Sequence, residues 1–346
     1  MKALRYYGKE DIRVEEVDEP VCKEGQIKIK PAFVGICGSG PGFCPESPHP
    51  VTGEKIPITL GHEFSESGTI IEVGAGVTGF ETGQKVAVRP TIADGSCGAC
   101  KRGLDNVCYK GGFVGLSGWG GGLSGAVSIP SELVHLLPSN IPLDVGALVE
   151  PLSVGWHAVR QSPLTPSSSI LILGGGPIGI AIINALKARE CGQIIVSEPT
   201  SSRQKFAKDF GADTVLNPVM DDVEKKVMEL TGGEGVDIVF DCAGVEVGLK
   251  AACMVIKPHG TVVNVAIWEK SVPFNPNWLV HREGKYIGTI GYLRQDFEET
   301  IQAIASGSLS PSRMITSKIS LPNVERDGFK ELIHNKEKHV KILVEL

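Results

Sequence analysis

Ile170-Leu171-Ile172-Leu173-Gly174-Gly175-Gly176-Pro177-Ile178-Gly179 joins four apolar residues to a glycine-rich turn, and a helix-forming run, Ile180 to Ala188, follows. The apolar run has the length of a buried strand, and the glycines fit G-x-G-x-x-G. Taken alone the match is weak, because 43 of the 346 residues are glycine, about 12% against an average of roughly 7%. Its place between a strand and a helix gives it meaning. Gly174 permits the tight turn, Gly176 lets the backbone approach a pyrophosphate, and Gly179 lets helix and strand pack closely. Pro177 and Ile178 then open a helix whose N-terminus faces the phosphate. A second strand, Ile194-Ile195-Val196-Ser197, ends at Glu198, about 20 residues past the motif. A carboxylate there accepts hydrogen bonds from the adenosine ribose hydroxyls and repels a 2′-phosphate, which favours NAD over NADP. Arg203 lies close enough to cap the adenine or the ribose, although an arginine also suits a 2′-phosphate.

Outward from this stretch the pattern repeats. Gln193–Ser197, Thr214–Leu216, Val236–Asp241 and Thr261–Ala266 read as strands, with helices from Gly179, from Ser202 and around Val223–Leu230 between them. Apolar strands alternating with helices predict an α/β fold, a doubly wound parallel sheet covered on both faces. Before Pro151 the character differs. Ile27–Lys30, Gly68–Val73 and Lys85–Val88 are short strands set among glycine and proline, and helical periodicity is almost absent, so a mostly antiparallel β domain is expected. The expected division is 1–152, 153–291 and a tail, 292–346, that returns to the first domain.

The net charge of −6 gives no electrostatic reason to expect nucleic acid or an anionic membrane as a partner. The N-terminus lacks the apolar core of a signal peptide. Ile170 to Leu186 is apolar enough to raise the question of a membrane span, but four glycines and a proline would break such a helix near its start. The expectation is a soluble protein of the cytosol. Nine cysteines, an odd number with three of them between Cys97 and Cys108, fit metal binding better than a disulfide framework in a chain of this length.

Two groups of residues have the chemistry of metal ligands. Cys37 lies in Gly35-Ile36-Cys37-Gly38-Ser39, and His62 and Glu63 lie in Leu60-Gly61-His62-Glu63-Phe64. A thiolate, an imidazole and carboxylates suit a tetrahedral zinc with one open position. The other group is Asp94-x2-Cys97-x2-Cys100-x7-Cys108. An iron–sulfur cluster needs four ligands, usually all cysteine, whereas zinc accepts a carboxylate oxygen, so a closed, structural zinc is expected.

These stretches, together with Val149-Glu150-Pro151-Leu152-Ser153-Val154, Phe240-Asp241-Cys242-Ala243-Gly244 and Phe274-Asn275-Pro276-Asn277-Trp278, resemble the zinc-containing medium-chain dehydrogenases. The likeness is nearest to the 2,3-butanediol and sorbitol (polyol) dehydrogenase branch and covers nearly the full length. It implies a GroES-like catalytic domain and a Rossmann domain. It also implies Cys37, His62 and either Glu63 or Glu150 around a catalytic zinc, with Ser39 contacting the substrate oxygen. Asp94 takes the place of the usual first cysteine of the structural-zinc lobe. A homodimer or homotetramer is what the family suggests.

The reaction so implied is hydride transfer between NAD(H) and a secondary alcohol or ketone, with Ser39 passing on the hydroxyl proton. Two departures bear on it. Gly40 stands where a carboxylate normally orients the metal-bound histidine, and Gly42 stands where a histidine often passes the proton to solvent. Water, Glu46 or His49 are candidate replacements. Two other readings stay open: a specialised reductase of a bulky carbonyl or conjugated double bond, and a catalytically silent paralogue that binds NAD or zinc.

Overall fold

The computed structural model describes residues 1–8, 11–36, 52–53, 55–61, 67–268 and 270–346, in two compact units. The first unit comprises Met1–Pro151, Leu293–Gly307 and Pro311–Leu346. Its strands are β1 (Lys2–Gly8), β2 (Asp11–Glu16), β3 (Gln26–Gly35), β4 (Ile58–Thr59), β5 (Ser67–Val73), β6 (Lys85–Val88), β7 (Thr91–Ile92), β8 (Gly112–Phe113), β9 (Val127–Pro130) and β10 (Val134–Leu136). The long strand β3 organises them. Ile27 pairs with Val73 of β5 on one side and with Ile129 of β9 on the other, both antiparallel. Ile27 and Ile29 are fully buried beside Ile70, Val86, Val88, Val127 and Ile129. A short helix, α1 (Leu143–Gly146), packs against this sheet: a Cβ on Gly146 would stand 2.9 Å from the Cβ of Ser67.

The second unit comprises Leu152–Tyr292 and Ser308–Ser310. Helix α2 (Val149–Gln161) leads to β11 (Ile170–Leu173), α3 (Pro177–Ala188), β12 (Ile194–Ser197), α4 (Ser201–Asp209), β13 (Thr214–Leu216), α5 (Val223–Leu230), β14 (Val236–Asp241), α6 (Glu246–Val255), β15 (Ile256–Asn264), α7 (Asn277–Val280) and β16 (Lys285–Gly288). All six strands are parallel, in the order β13-β12-β11-β14-β15-β16. The α/β expectation holds. Every side chain of β11 is buried, because helices cover both faces, which is why this strand reads as an unbroken apolar run. The order reverses between β11 and β14, which opens a crevice at the carboxyl ends of those strands.

In the first unit the chain continues with α8 (Arg294–Ser306), β17 (Ile315–Ser320), α9 (Lys330–His334) and β18 (Lys341–Glu345). β18 joins the first sheet antiparallel to β3, with Val344 opposite Val34. Two element boundaries differ from the sequence reading. The sequence makes a helix plausible from Ser153 to Gln161, but α2 begins at Val149, since Pro151 falls in the first turn, where a missing N–H is harmless. β15 begins at Ile256 rather than Thr261, with the intervening Lys257-Pro258-His259-Gly260 irregular: His259 has φ +63° and the register with β14 shifts there. No helix among the described residues is long and apolar enough to cross a membrane.

Candidate active site and metal centre

The turn after β11 is built by exclusion of side chains. Gly174 has φ +97°, a region that L-residues with a Cβ rarely enter. A Cβ on Gly179 would lie 2.0 Å from the Gly174 carbonyl oxygen, so α3 seats directly on the turn only because that position is bare. Gly176 caps α3 with no side-chain hydrogen bond, and Pro177 occupies the helix start. The first N–H groups of α3 therefore have no intrahelical partner and point toward the crevice, as an anion site requires.

Glu198 meets this turn from the end of β12. It is buried, and its Oε2 accepts a hydrogen bond from the Gly175 N–H at 2.7 Å while Oε1 accepts one from the Thr200 N–H at 2.9 Å. The bond to Gly175, unforeseen in the sequence, ties the second strand to the glycine turn. A carboxylate has about four acceptor sites, so both oxygens keep capacity for ribose hydroxyls. Arg203, in the first turn of α4, brings its guanidinium to the glycines: a Cβ on Gly176 would be 3.6 Å from Arg203 Nη1. The arginine thus lies beside the glycine turn.

In the first unit, one ligand atom from each of Asp94, Cys97, Cys100 and Cys108 falls within 4.8 Å of the others. Cys97 Sγ stands 3.5 Å from Cys100 Sγ and 3.9 Å from Cys108 Sγ, and Cys100 Sγ lies 3.4 Å from Asp94 Oδ1. A tetrahedral zinc at ~2.3 Å from each sulfur needs sulfurs about 3.8 Å apart, so this donor set fits the ion in number, chemistry and spacing. Local backbone bonds hold it in place. Ser96 and Cys97 N–H groups each donate to Asp94 Oδ1 at 2.9 Å, and the Asp94 N–H donates to Cys108 Sγ at 3.3 Å. The two N–H donors keep the Asp94 carboxyl well below its usual range. Backbone N–H groups, that of Cys100 foremost, lower the Cys97 thiol to about 7, whereas burial and its thiol neighbours push Cys100 up to about 12. Antiparallel pairing of Thr91 with Phe113 closes the base of the lobe. The buried Arg89 anchors it, donating from Nη1 to Asp105 Oδ2 at 2.7 Å, a contact that no sequence pattern announced.

Of the residues expected around a catalytic zinc, Cys37, Ser39, His62 and Glu63 lie outside the described residues, as do Gly40, Gly42, Glu46 and His49. Glu150 is described: it is buried in the first turn of α2.

Comparison with known proteins agrees with the geometry. Residues 177–306 match a family model described as zinc-binding dehydrogenase, and residues 23–139 match the alcohol dehydrogenase GroES-like domain. The chain is 40% identical over 352 residues to the (R,R)-butanediol dehydrogenase of Bacillus subtilis, covering 99% of both chains. The crystal structure of 2R,3R-butanediol dehydrogenase from Bacillus subtilis superposes with a TM-score of 0.93 at 39% identity, covering 100% of this chain and 99% of that one. A zinc-binding dehydrogenase from Sinorhizobium meliloti 1021, solved bound to NADP, gives a TM-score of 0.90 at 27% identity over 100% and 99% of the two chains.

Proposed function

The chain belongs to the zinc-binding alcohol dehydrogenase family, and from that premise we propose that it is an NAD-linked oxidoreductase of a vicinal diol or polyol, such as the 2,3-butanediol/acetoin pair. The observation that carries the reading is the glycine turn at 174–179 with Glu198 hydrogen-bonded to it, in a chain that matches a butanediol dehydrogenase end to end. NAD is the assigned cofactor because a buried carboxylate at the end of β12 repels a 2′-phosphate.

Asp94, Cys97, Cys100 and Cys108 are assigned to a structural zinc, on the fit of their donor atoms. Cys37 and His62, with Glu63 or Glu150, are assigned to the catalytic zinc on sequence grounds. When bound, that zinc supplies Lewis acidity toward an alcohol oxygen and NAD supplies the hydride acceptor. The protein's own part is to orient both. Ser39 takes up the hydroxyl proton, and with glycine at 40 and 42 the onward path falls to water, Glu46 or His49. The turn at 174–179 fixes the pyrophosphate, and Glu198 the adenosine ribose. A cytosolic homodimer or homotetramer completes the proposal.

Cys37→Ser is the direct test. The variant is expected to lose at least about a thousandfold in diol oxidation while binding NADH normally, since only the metal thiolate is removed. Full activity in that variant would refute the zinc assignment. A panel of butanediol, acetoin, sorbitol, xylitol and enals, each with NAD and with NADP, tests the substrate class. Preference for an enal over every diol or ketone would move the protein to the reductase reading.

A further inference from the structure

The four donors of the cysteine lobe are not equal, and the difference lies in one oxygen. Asp94 turns Oδ1 toward the sulfurs, 3.4 Å from Cys100 Sγ, and the same atom accepts the N–H groups of Ser96 and Cys97, both at 2.9 Å. A carboxylate oxygen has two lone-pair sites, so these two donors take both acceptor directions of Oδ1. A metal ion bound there competes with backbone N–H groups for the same electron pairs. Neither donor is free to withdraw. Gly95, at φ +66°, turns the chain so that both N–H groups point back at Asp94, and Cys97 carries one of the sulfurs on the same backbone. The oxygen is also the harder donor, whereas a thiolate is the soft, strongly bound partner that zinc takes at ~2.3 Å.

The weak donor also sits where another molecule can reach it. Gly95, Ser96 and Gly98 are exposed around Asp94, and all four ligand residues are only partly buried. We infer that Asp94 is the releasable arm of the lobe: its Oδ1, shared with the Ser96 and Cys97 N–H groups, holds zinc less firmly than the three thiolates do, so the metal exchanges through that arm. The inference rests on the proposed structural zinc and goes beyond it, since it makes that ion exchangeable rather than permanent. An incoming nitrogen or sulfur donor replaces Oδ1 first, while Cys97, Cys100 and Cys108 keep their hold. The backbone of residue 94 has a separate task, because its N–H donates to Cys108 Sγ at 3.3 Å. That bond survives any change of the side chain.

Zinc release from the full-length protein to an excess of a pyridylazo-resorcinol dye reads the arm directly. The phase that belongs to the lobe is the one missing from Cys100→Ser. Asp94→Cys supplies a fourth thiolate, and the lobe phase is expected to slow at least about tenfold. Asp94→Asn keeps an oxygen that can accept both N–H groups but removes its charge, and the same phase is expected to quicken at least about tenfold. It gives a test of opposite sign if the cysteine variant does not fold. Cobalt substitution supplies a spectroscopic reading. After subtraction of the Cys100→Ser spectrum, the sulfur-to-cobalt charge-transfer band should grow by about a third in Asp94→Cys, as three thiolates become four. A lobe phase of the same rate in the parent and in either variant, or an unchanged cobalt band, overturns the inference while leaving the zinc assignment intact. If no phase is missing from Cys100→Ser, the lobe's zinc and the inference fall together.

Discussion

The cysteine lobe at 94–108 and the glycine turn at 174–179 are the two regions proposed to fix a ligand's position, and they are built by opposite means. In the lobe the ligand-facing groups are side chains, four donors within a short loop, with backbone N–H groups of the same loop holding Asp94 Oδ1 and Cys108 Sγ. In the turn they are backbone N–H groups, and a side chain is excluded at 179 by the Gly174 carbonyl and at 174 by a φ of +97°. A lobe built from local bonds rises or falls by itself. A turn seated between a central strand and its helix transmits any damage to the sheet.

Gly179→Ala carries the largest expected effect. The added Cβ would fall 2.0 Å from the Gly174 carbonyl oxygen, which is backbone and has nowhere to go, so α3 must lift from β11. A loss of at least about 4 kcal/mol is expected, with NADH binding abolished in whatever protein remains folded. Denaturant unfolding and NADH fluorescence measure the two. Normal NADH affinity in this variant would mean that the turn is not the cofactor site.

Cys100→Ser should act on the lobe and stop there. One zinc per chain should disappear from metal analysis, and stability should fall by about 3 kcal/mol, while NADH affinity stays within about twofold. A parallel loss of NADH affinity would show that the lobe's metal supports more than its own loop, and the contrast between the two regions would fail.

The two regions also differ in how far the sequence exposed them. The lobe is legible because its chemistry is in residue types: cysteines three and eight residues apart have few purposes, and proximity in sequence makes proximity in space nearly automatic. The turn is legible only from context, an apolar strand before it and a helical run after it. The parallel strands were readable for the same reason, since Ile170–Leu173 is buried on both faces. Contacts made by long-range packing were not readable. Arg89 to Asp105 and Glu198 to Gly175 join segments whose meeting depends on the whole sheet, and no local pattern signals them. Asp241 was visible as part of a family stretch, but its buried, unanswered oxygen belongs to the folded state alone. The start of α2 was missed because Pro151 reads as a breaker anywhere except in a first turn.

The smallest effect concerns the footing of the lobe. His135, on β10, is buried with its ring centroid 4.9 Å from that of Phe297 and its Nδ1 3.6 Å from Glu298 Oε1. Burial, helped by the positive charges of Arg89 and Arg294, pushes its pKa down to about 4, and the Glu298 carboxylate opposes this without overcoming it. Between pH ~6.5 and about 4 the unfolded chain therefore takes up a proton at this residue and the folded one does not. Stability is fully present above pH ~6.5 and declines as the pH falls, by about 2 kcal/mol at pH 5 from this residue. His135→Phe should remove that part of the decline, as measured by denaturant unfolding at pH 7 and pH 5. The difference between variant and parent isolates it from every other titrating group. Because the repulsion would fall on Arg89, which anchors Asp105, acid is expected to loosen the lobe while NADH affinity is unmoved. An identical pH slope in the variant would place the acid sensitivity elsewhere and leave the lobe's footing independent of His135.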